Sequence, residues 1–225
     1  MKILGLLGRG ALAFLGLLMA ANVVANLYSA IAHRLAPSPV AASTLMWDVW
    51  VIAWIVAMVW SRRTAARPPA LDQLFHWLPT VIGIGLLGFG SVATSFAPLW
   101  RLPGAAGWAL AGACGAGLLF TAWARISLGS LWSGSVSRKV DHTVIQSGPY
   151  RLVRHPIYTG LILAGLAQGV LVGMAANLFG ALLMALGFWL KARLEERFLS
   201  KELGEAYAEY RRRTPMLAPF WPARG

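Results

Sequence analysis

The sequence predicts an all-α integral membrane protein, with about six transmembrane helices, a C-terminal helical hairpin and a cytoplasmic cofactor-binding cap. Three observations carry that prediction. Of 225 residues, 58% are hydrophobic and 12% charged, about half the charge of a soluble domain; mean hydropathy is +0.62. The apolar residues fall in blocks that approach or exceed the roughly 20 residues a spanning helix needs. The 20 Lys and Arg outnumber the 8 Asp and Glu, and they gather on one side of the predicted arrangement. Such hydrophobicity excludes intrinsic disorder. The single cysteine, Cys114, excludes an intrachain disulfide framework.

The blocks follow in order. Residues 4–31 are apolar apart from Arg9 and two asparagines. Lys2 and Arg9 ahead of such a run also suit a signal peptide, but the run is too long and Asn22 and Asn26 give poor cleavage context, so it is read as a span. Residues 45–60 form a second block, interrupted by Asp48. A third, 78–99, is entered at Pro79 and left near Pro98. The fourth is 104–123. Two shorter blocks, 157–171 and 178–190, are separated by Gly173 and Asn177 and read as a hairpin whose second arm runs on past Leu190. Six spans is the resulting number, with five as the alternative.

Charge position sets the topology. With the N-terminus in the cytoplasm, 18 of the 20 Lys and Arg lie on inside segments, leaving Arg34 and Arg101 outside. That is the positive-inside pattern, with Trp60 and Trp77 at the inner interface and Trp100 and Trp108 at the outer one. The pI of 11.1 is therefore topological, and nucleic-acid binding is not predicted. Both termini are placed in the cytoplasm, in what reads as a bacterial inner membrane.

Gly83, Gly85 and Gly88 spell G-x-G-x-x-G, but a dinucleotide fingerprint must follow a strand and open a helix. Inside an apolar block these glycines predict close helix packing instead. Gly112, Gly115 and Gly117 are read the same way. His33, His76 and His142 are taken as loop residues, and Asp48 and Asp141 as structural. Four scattered histidines and one cysteine form no metal-ligand spacing, so no metal is expected.

Groups able to do chemistry concentrate late in the chain, which divides it into N-terminal spans over 1–103 and a catalytic core over 104–225. In the segment 127–158, Ser, Gly and Thr prevail up to Pro149 and read as an ordered loop, with a turn at Gly148-Pro149. Pro156 suits the first position of a helix and pushes His155 toward extended geometry. Arg154 and His155 then sit at a helix N-terminus, whose free N–H groups favour an anion. Tyr158 lies within the first turn. Residues 191–213 continue the helical period, place Glu195 and Glu196 beyond the apolar arm, offer Lys191–Glu195 and Glu209–Arg213 as i,i+4 pairs, bend at Gly204, and end at Thr214-Pro215.

These residues resemble a known family. Gly148-Pro149-Tyr150, Arg154-His155-Pro156-Ile157-Tyr158-Thr159-Gly160, Glu195-Glu196 and Tyr207…Tyr210-Arg211-Arg212-Arg213-Thr214-Pro215 together form a pattern similar to that of the isoprenylcysteine carboxyl methyltransferase family, in its bacterial type. Phospholipid N-methyltransferases are related. The likeness covers roughly residues 120–220, and the combination is more specific than either piece alone. It implies an S-adenosylmethionine-dependent membrane methyltransferase with a lipophilic acceptor, such as the carboxylate of a prenylated cysteine. It also implies that His155, Tyr158, Glu196 and Glu195, with Gly148 and Tyr150, bind S-adenosylmethionine, and that Arg154 and Arg213 are catalytic.

Elementary chemistry is compatible with those roles. A carboxylate such as Glu196 accepts from a ribose diol or an ammonium, and a helix N-terminus with His155 takes a carboxylate. A carboxylate acceptor needs no base but is aligned by an arginine. A thiol acceptor must lose a proton, and the sequence assigns no base to it; an amine or small thiol acceptor stays open. A membrane reductase using NADPH, with Arg211–Arg213 around a 2′-phosphate, is the alternative activity. The expected surroundings are the lipid bilayer and a lipophilic acceptor. The oligomeric state is left open.

Overall fold

The computed structural model describes residues 20–21, 23–24, 28, 38–57, 64–66, 68–93, 97–132, 138–139 and 144–220. Most of the first predicted span, 4–31, lies outside the described residues, as do His33, Asp141 and His142.

Six α-helices are described: α1 Pro39–Ala57, α2 Ala70–Ala93, α3 Gly104–Leu128, α4 Pro156–Val172, α5 Ala175–Leu203 and α6 Glu205–Arg213. A ladder of two short antiparallel strands, β1 Thr64–Ala66 and β2 Arg138–Lys139, joins the segment between α1 and α2 to the one after α3. Periodicity could not announce so short a ladder.

The boundaries follow local chemistry. Ser38 caps α1: its hydroxyl accepts the Ala41 N–H at 3.1 Å, and Pro39 fills the first helical position, where a missing N–H is harmless. Helix α2 starts directly after Pro68-Pro69, eight residues before the predicted block. Pro79 is therefore inside it rather than at its entrance. Beside that proline the Thr80 hydroxyl donates to the His76 carbonyl at 2.6 Å. Between α4 and α5 the chain turns at Gly173, with φ +72°. A Cβ there would lie 2.6 Å from the Trp100 carbonyl oxygen, so only glycine fits. Asn177, predicted to belong to this turn, lies within α5 and donates to the Leu87 carbonyl of α2 at 2.8 Å.

The helices pack largely in the order α2, α5, α4, α3, α1. Glycine sets the two tightest seams. A Cβ on Gly117 of α3 would come 2.6 Å from the Gly160 carbonyl oxygen of α4. A Cβ on Gly83 of α2 would come 2.7 Å from the Gly180 carbonyl oxygen of α5. Filling either seam costs about 1–3 kcal/mol by overpacking. Close approach is thus real at Gly83 and Gly117, whereas Gly85 and Gly112 face open space.

Among the described residues three helices are long and apolar enough to cross a membrane: Pro39–Ala57, Gly104–Leu131 (α3 with its 3₁₀ extension) and Ala175–Leu203; Pro156–Val172 is apolar but shorter. Their outward residues are apolar as well, with Val49, Val56, Leu119 and Ile126 exposed. An apolar outer surface on apolar helices is what lipid requires. Inside, Leu118, Ile157, Tyr158, Leu161, Met184 and Phe188 form the core from which the site is built.

Candidate functional site

Three pieces of chain converge at one end of the hairpin. The first is the loop into α4. A 3₁₀ turn over Gly148–Arg151 begins with Gly148 at φ +58°, where a Cβ would lie 2.7 Å from the Ser127 hydroxyl. The chain then passes Arg154 and His155 into Pro156, the first residue of α4, as Pro at that position favours. The second piece is α5 at Lys191, Glu195 and Glu196. The third is α6 with the tail after it.

The tail is stitched down by backbone. Arg154 N–H donates to Pro215 O at 2.9 Å and His155 N–H to Met216 O at 3.1 Å. The Thr159 hydroxyl donates to Leu217 O at 2.6 Å. Tyr210 adds a hydroxyl bond to the Tyr150 carbonyl at 2.7 Å.

Glu196 is the hub of the inner layer and is 5% exposed. Arg154 holds it bidentately, Nε to Oε1 and Nη2 to Oε2, both at 2.9 Å. His155 Nε2 and the Tyr207 hydroxyl each reach Oε1 at 2.8 Å, and Arg211 Nε lies 3.0 Å from Oε2. Arg154 spends Nη1 on the carbonyls of Arg211, at 3.0 Å, and Thr214. The desolvated pair is thus supported by further hydrogen bonds, as a buried pair must be.

Glu195 heads the outer layer. Neighbouring helical residues point about 100° apart, so the two glutamates straddle the His155 ring. Glu195 Oε2 lies 3.2 Å from Nδ1, and its Oε1 accepts the Tyr158 hydroxyl at 2.8 Å. Both imidazole nitrogens therefore face acceptor-only carboxylates, and the geometry demands two donors, an imidazolium. Burial would lower the His155 pKa, but hydrogen bonds and charge from Glu195 and Glu196 prevail and raise it. The rings of His155 and Tyr158 stack at 5.5 Å, and Tyr158 stacks on Phe188 at 5.4 Å. Lys191 Nζ sits 5.0 Å from the Tyr158 ring centroid. Burial raises the pKa of Tyr150, Tyr207 and Tyr210, which keeps them neutral donors.

The structure thus brings together Arg154, His155, Tyr158, Glu195 and Glu196, with Gly148 and Tyr150 alongside. The two arginines expected to be catalytic are placed differently from one another. Arg154, expected to align an acceptor, engages Nε, Nη1 and Nη2 with the chain itself. Arg213 is not at the site: its side chain is 69% exposed and pairs with Glu209. Three successive helical residues cannot share a face, and the one on the face of Tyr207 and Tyr210 is Arg211. Arg212 pairs with Glu205 at 2.8 Å. The three arginines therefore do not gather into the phosphate site that the reductase alternative required. His76, read as a loop residue, is buried inside α2 at 2% exposure. Tyr207 and Arg211 as partners of Glu196 went unassigned, although their i,i+4 spacing held the signal.

Comparison with known proteins falls on the same stretch. The sequence model of the isoprenylcysteine carboxyl methyltransferase family matches residues 110–201. The cobalt-zinc-cadmium resistance protein CzcN of Cupriavidus metallidurans is 38% identical over 95 residues, 41% of this chain and 44% of that one. Protein-S-isoprenylcysteine O-methyltransferase of Schizosaccharomyces pombe is 33% identical over 89 residues, 38% of this chain and 36% of that one. Methanethiol S-methyltransferase 2 of Bradyrhizobium diazoefficiens is 40% identical over 70 residues, 31% of this chain and 26% of that one. The match spans less than half the length of each relative. The family model takes in Arg154, His155, Tyr158, Glu195 and Glu196, and over that segment the chain is similar to the isoprenylcysteine carboxyl methyltransferase family.

Proposed function

We propose that the chain is an S-adenosylmethionine-dependent membrane methyltransferase acting on a lipophilic acceptor, and that Glu195, Tyr158 and His155 form the cofactor face of its site. The carrying observation is the unequal satisfaction of the two glutamates. Glu196 accepts hydrogen bonds from three side chains, Arg154, His155 and Tyr207, and pairs by charge with Arg211. Glu195 accepts from two and is the more exposed, 18% against 7% for the side chains.

The donor set fits the group. S-adenosylmethionine presents a sulfonium, an ammonium, a carboxylate and a ribose diol. A partly open carboxylate beside stacked aromatic faces suits cations, and Arg211, with 31% of its side chain exposed, suits the carboxylate. When bound, the group supplies an electrophilic methyl. The protein's share is positioning and exclusion of water, which in methyl transfer is most of the catalytic work. Arg154 and Glu196 hold His155 in place; His155 holds Glu195; the tail over residues 214–217 covers the loop into α4. Gly148 and Tyr150 belong to that rim. The reading includes a multi-pass placement in a bacterial inner membrane, both termini cytoplasmic, with the acceptor arriving from the bilayer. The activities of the relatives offer two acceptor classes, a prenylcysteine carboxylate and a small thiol.

The test is calorimetry of S-adenosylhomocysteine with the detergent-purified chain. The wild type binds, and Glu195→Gln weakens binding by about tenfold or more, the equivalent of one charge-assisted hydrogen bond, while the thermal midpoint falls less than in Glu196→Gln. A folded wild type that binds none refutes the reading. Unchanged affinity in Glu195→Gln moves the cofactor face elsewhere.

A further inference from the structure

Helix α2 lies outside the matched segment, yet it delivers a histidine to the cluster. Helices α2 and α5 run antiparallel in direct contact, Thr80 against Gly187 and Gly83 against the backbone of Met184. One turn from Thr80 toward the start of α2, and one turn from Gly187 toward the end of α5, puts His76 opposite Lys191. A further turn along α5 reaches Glu195. The His76 ring is buried, and its Nε2 has no hydrogen-bond partner among the described residues. Trp77 packs beside it at 5.5 Å. The charged groups acting on it are Lys191 and Glu195. Burial first, then the Lys191 ammonium, favours the neutral ring against the opposing pull of Glu195. A proton acceptor must start neutral.

We propose that His76 is the proton acceptor for a thiol substrate held between α2 and α5 beside Lys191. The inference rests on the methyl-transfer reading above. The S–H bond breaks as the N–H bond forms at Nε2. The thiol sulfur's electron pair makes the new C–S bond to the methyl, and the donor's sulfonium C–S bond breaks with its pair staying on the donor sulfur. The imidazolium then returns its proton to water. Lys191 stabilises the negative charge growing on the sulfur, and that charge in turn raises the proton affinity of His76. The same ammonium repels a protonated amine. A carboxylate acceptor arrives ionised and has no use for a base. Of the three acceptor classes, only the thiol uses both residues.

The experiment follows methyl transfer from labelled donor by the full chain in detergent. The acceptors are ethanethiol, the more acidic thiophenol, and N-acetyl-S-farnesylcysteine as the carboxylate. Wild type, His76→Gln and His76→Asn are compared, each with S-adenosylhomocysteine binding measured alongside. The wild type methylates ethanethiol at a rate that stays level with pH across neutrality, because burial and Lys191 push the His76 pKa down to about 3 and the base is already neutral. The variants keep S-adenosylhomocysteine affinity, lose about 100-fold in kcat for ethanethiol, as loss of a general base does, and regain rate as rising pH ionises the thiol. Their deficit shrinks with thiophenol, a dependence on acceptor acidity that a packing role for His76 does not give. Several results overturn the proposal: variants that match the wild type on ethanethiol, an equal deficit on both thiols, or transfer to the carboxylate alone. If both variants fail to fold, a wild-type rate that climbs with pH in step with ionisation of the thiol overturns it equally. A wild type that binds no S-adenosylhomocysteine fails earlier and takes the methyl-transfer reading with it, so the two failures are distinguishable.

Discussion

Glu195 and Glu196 are neighbours in the chain and opposites in the structure. Around Glu196 stand Arg154, His155 and Tyr207 as hydrogen-bond donors and Arg211 as an ion-pair partner. Around Glu195 stand one hydroxyl, one imidazole, an ammonium on an aromatic face and, one helix away, a histidine with an idle nitrogen. The first set locks α4, α5, α6 and the tail together. The second has bonding capacity left over. A polar cluster next to a membrane can thus divide into a part whose hydrogen bonds are spent on the fold and a part with capacity left over, one residue apart.

Breaking the builder has the largest effect. Glu196→Gln leaves Arg154 and His155 buried without their carboxylate, which costs about 3–5 kcal/mol for a buried pair that loses one partner. Thermal unfolding in detergent registers it as a large drop in midpoint, with ligand affinity lost only together with the fold. Glu195→Gln gives the reverse pattern, affinity before stability.

A pH series separates the two further. The His155 pKa is raised in the folded state, so its stabilisation is complete below the unfolded value of about 6.5. It is lost as pH climbs through the folded value. The wild-type midpoint therefore falls as the buffer becomes alkaline, and His155→Gln flattens that slope. A slope unchanged by the substitution would mean that His155 is not the titrating group.

The smallest effects sharpen the boundary of the builder. Arg211→Ala removes a contact to Glu196 and lowers the midpoint by an amount that unfolding scans resolve. Arg213→Ala removes an exposed i,i+4 pair, worth about 0.3–0.5 kcal/mol in general, and leaves ligand affinity alone. The opposite ranking would restore Arg213 to the site.

Much of this was legible beforehand, for reasons that differ by residue. The start of α4 was readable because Pro156 fixes its own φ and restricts His155, a purely local constraint. The paired glutamates were readable as a patch of charge at the end of an apolar arm. Their division of labour was not, because it depends on how one imidazole sits between them. Arg213 was preferred over Arg211 by motif, while the helical period from Tyr207 and Tyr210 favoured Arg211. His76 was invisible as a site residue: only the Thr80–Gly187 and Gly83–Met184 register places it opposite Lys191, and register is a tertiary fact. Pro79 misplaced the start of α2 because a proline inside a helix and one at its entrance look alike in sequence.

The tail pairing with Arg154 and His155 has a consequence for biosynthesis. The hairpin of α4 and α5 is complete once residue 203 has been made, but Pro215, Met216 and Leu217 are not yet available to it. Until they emerge, the backbone donors of Arg154 and His155 have no carbonyls to meet. The hairpin can therefore form before the loop into α4 is pinned, and the backbone pairing of Arg154 and His155 is completed only when those residues dock.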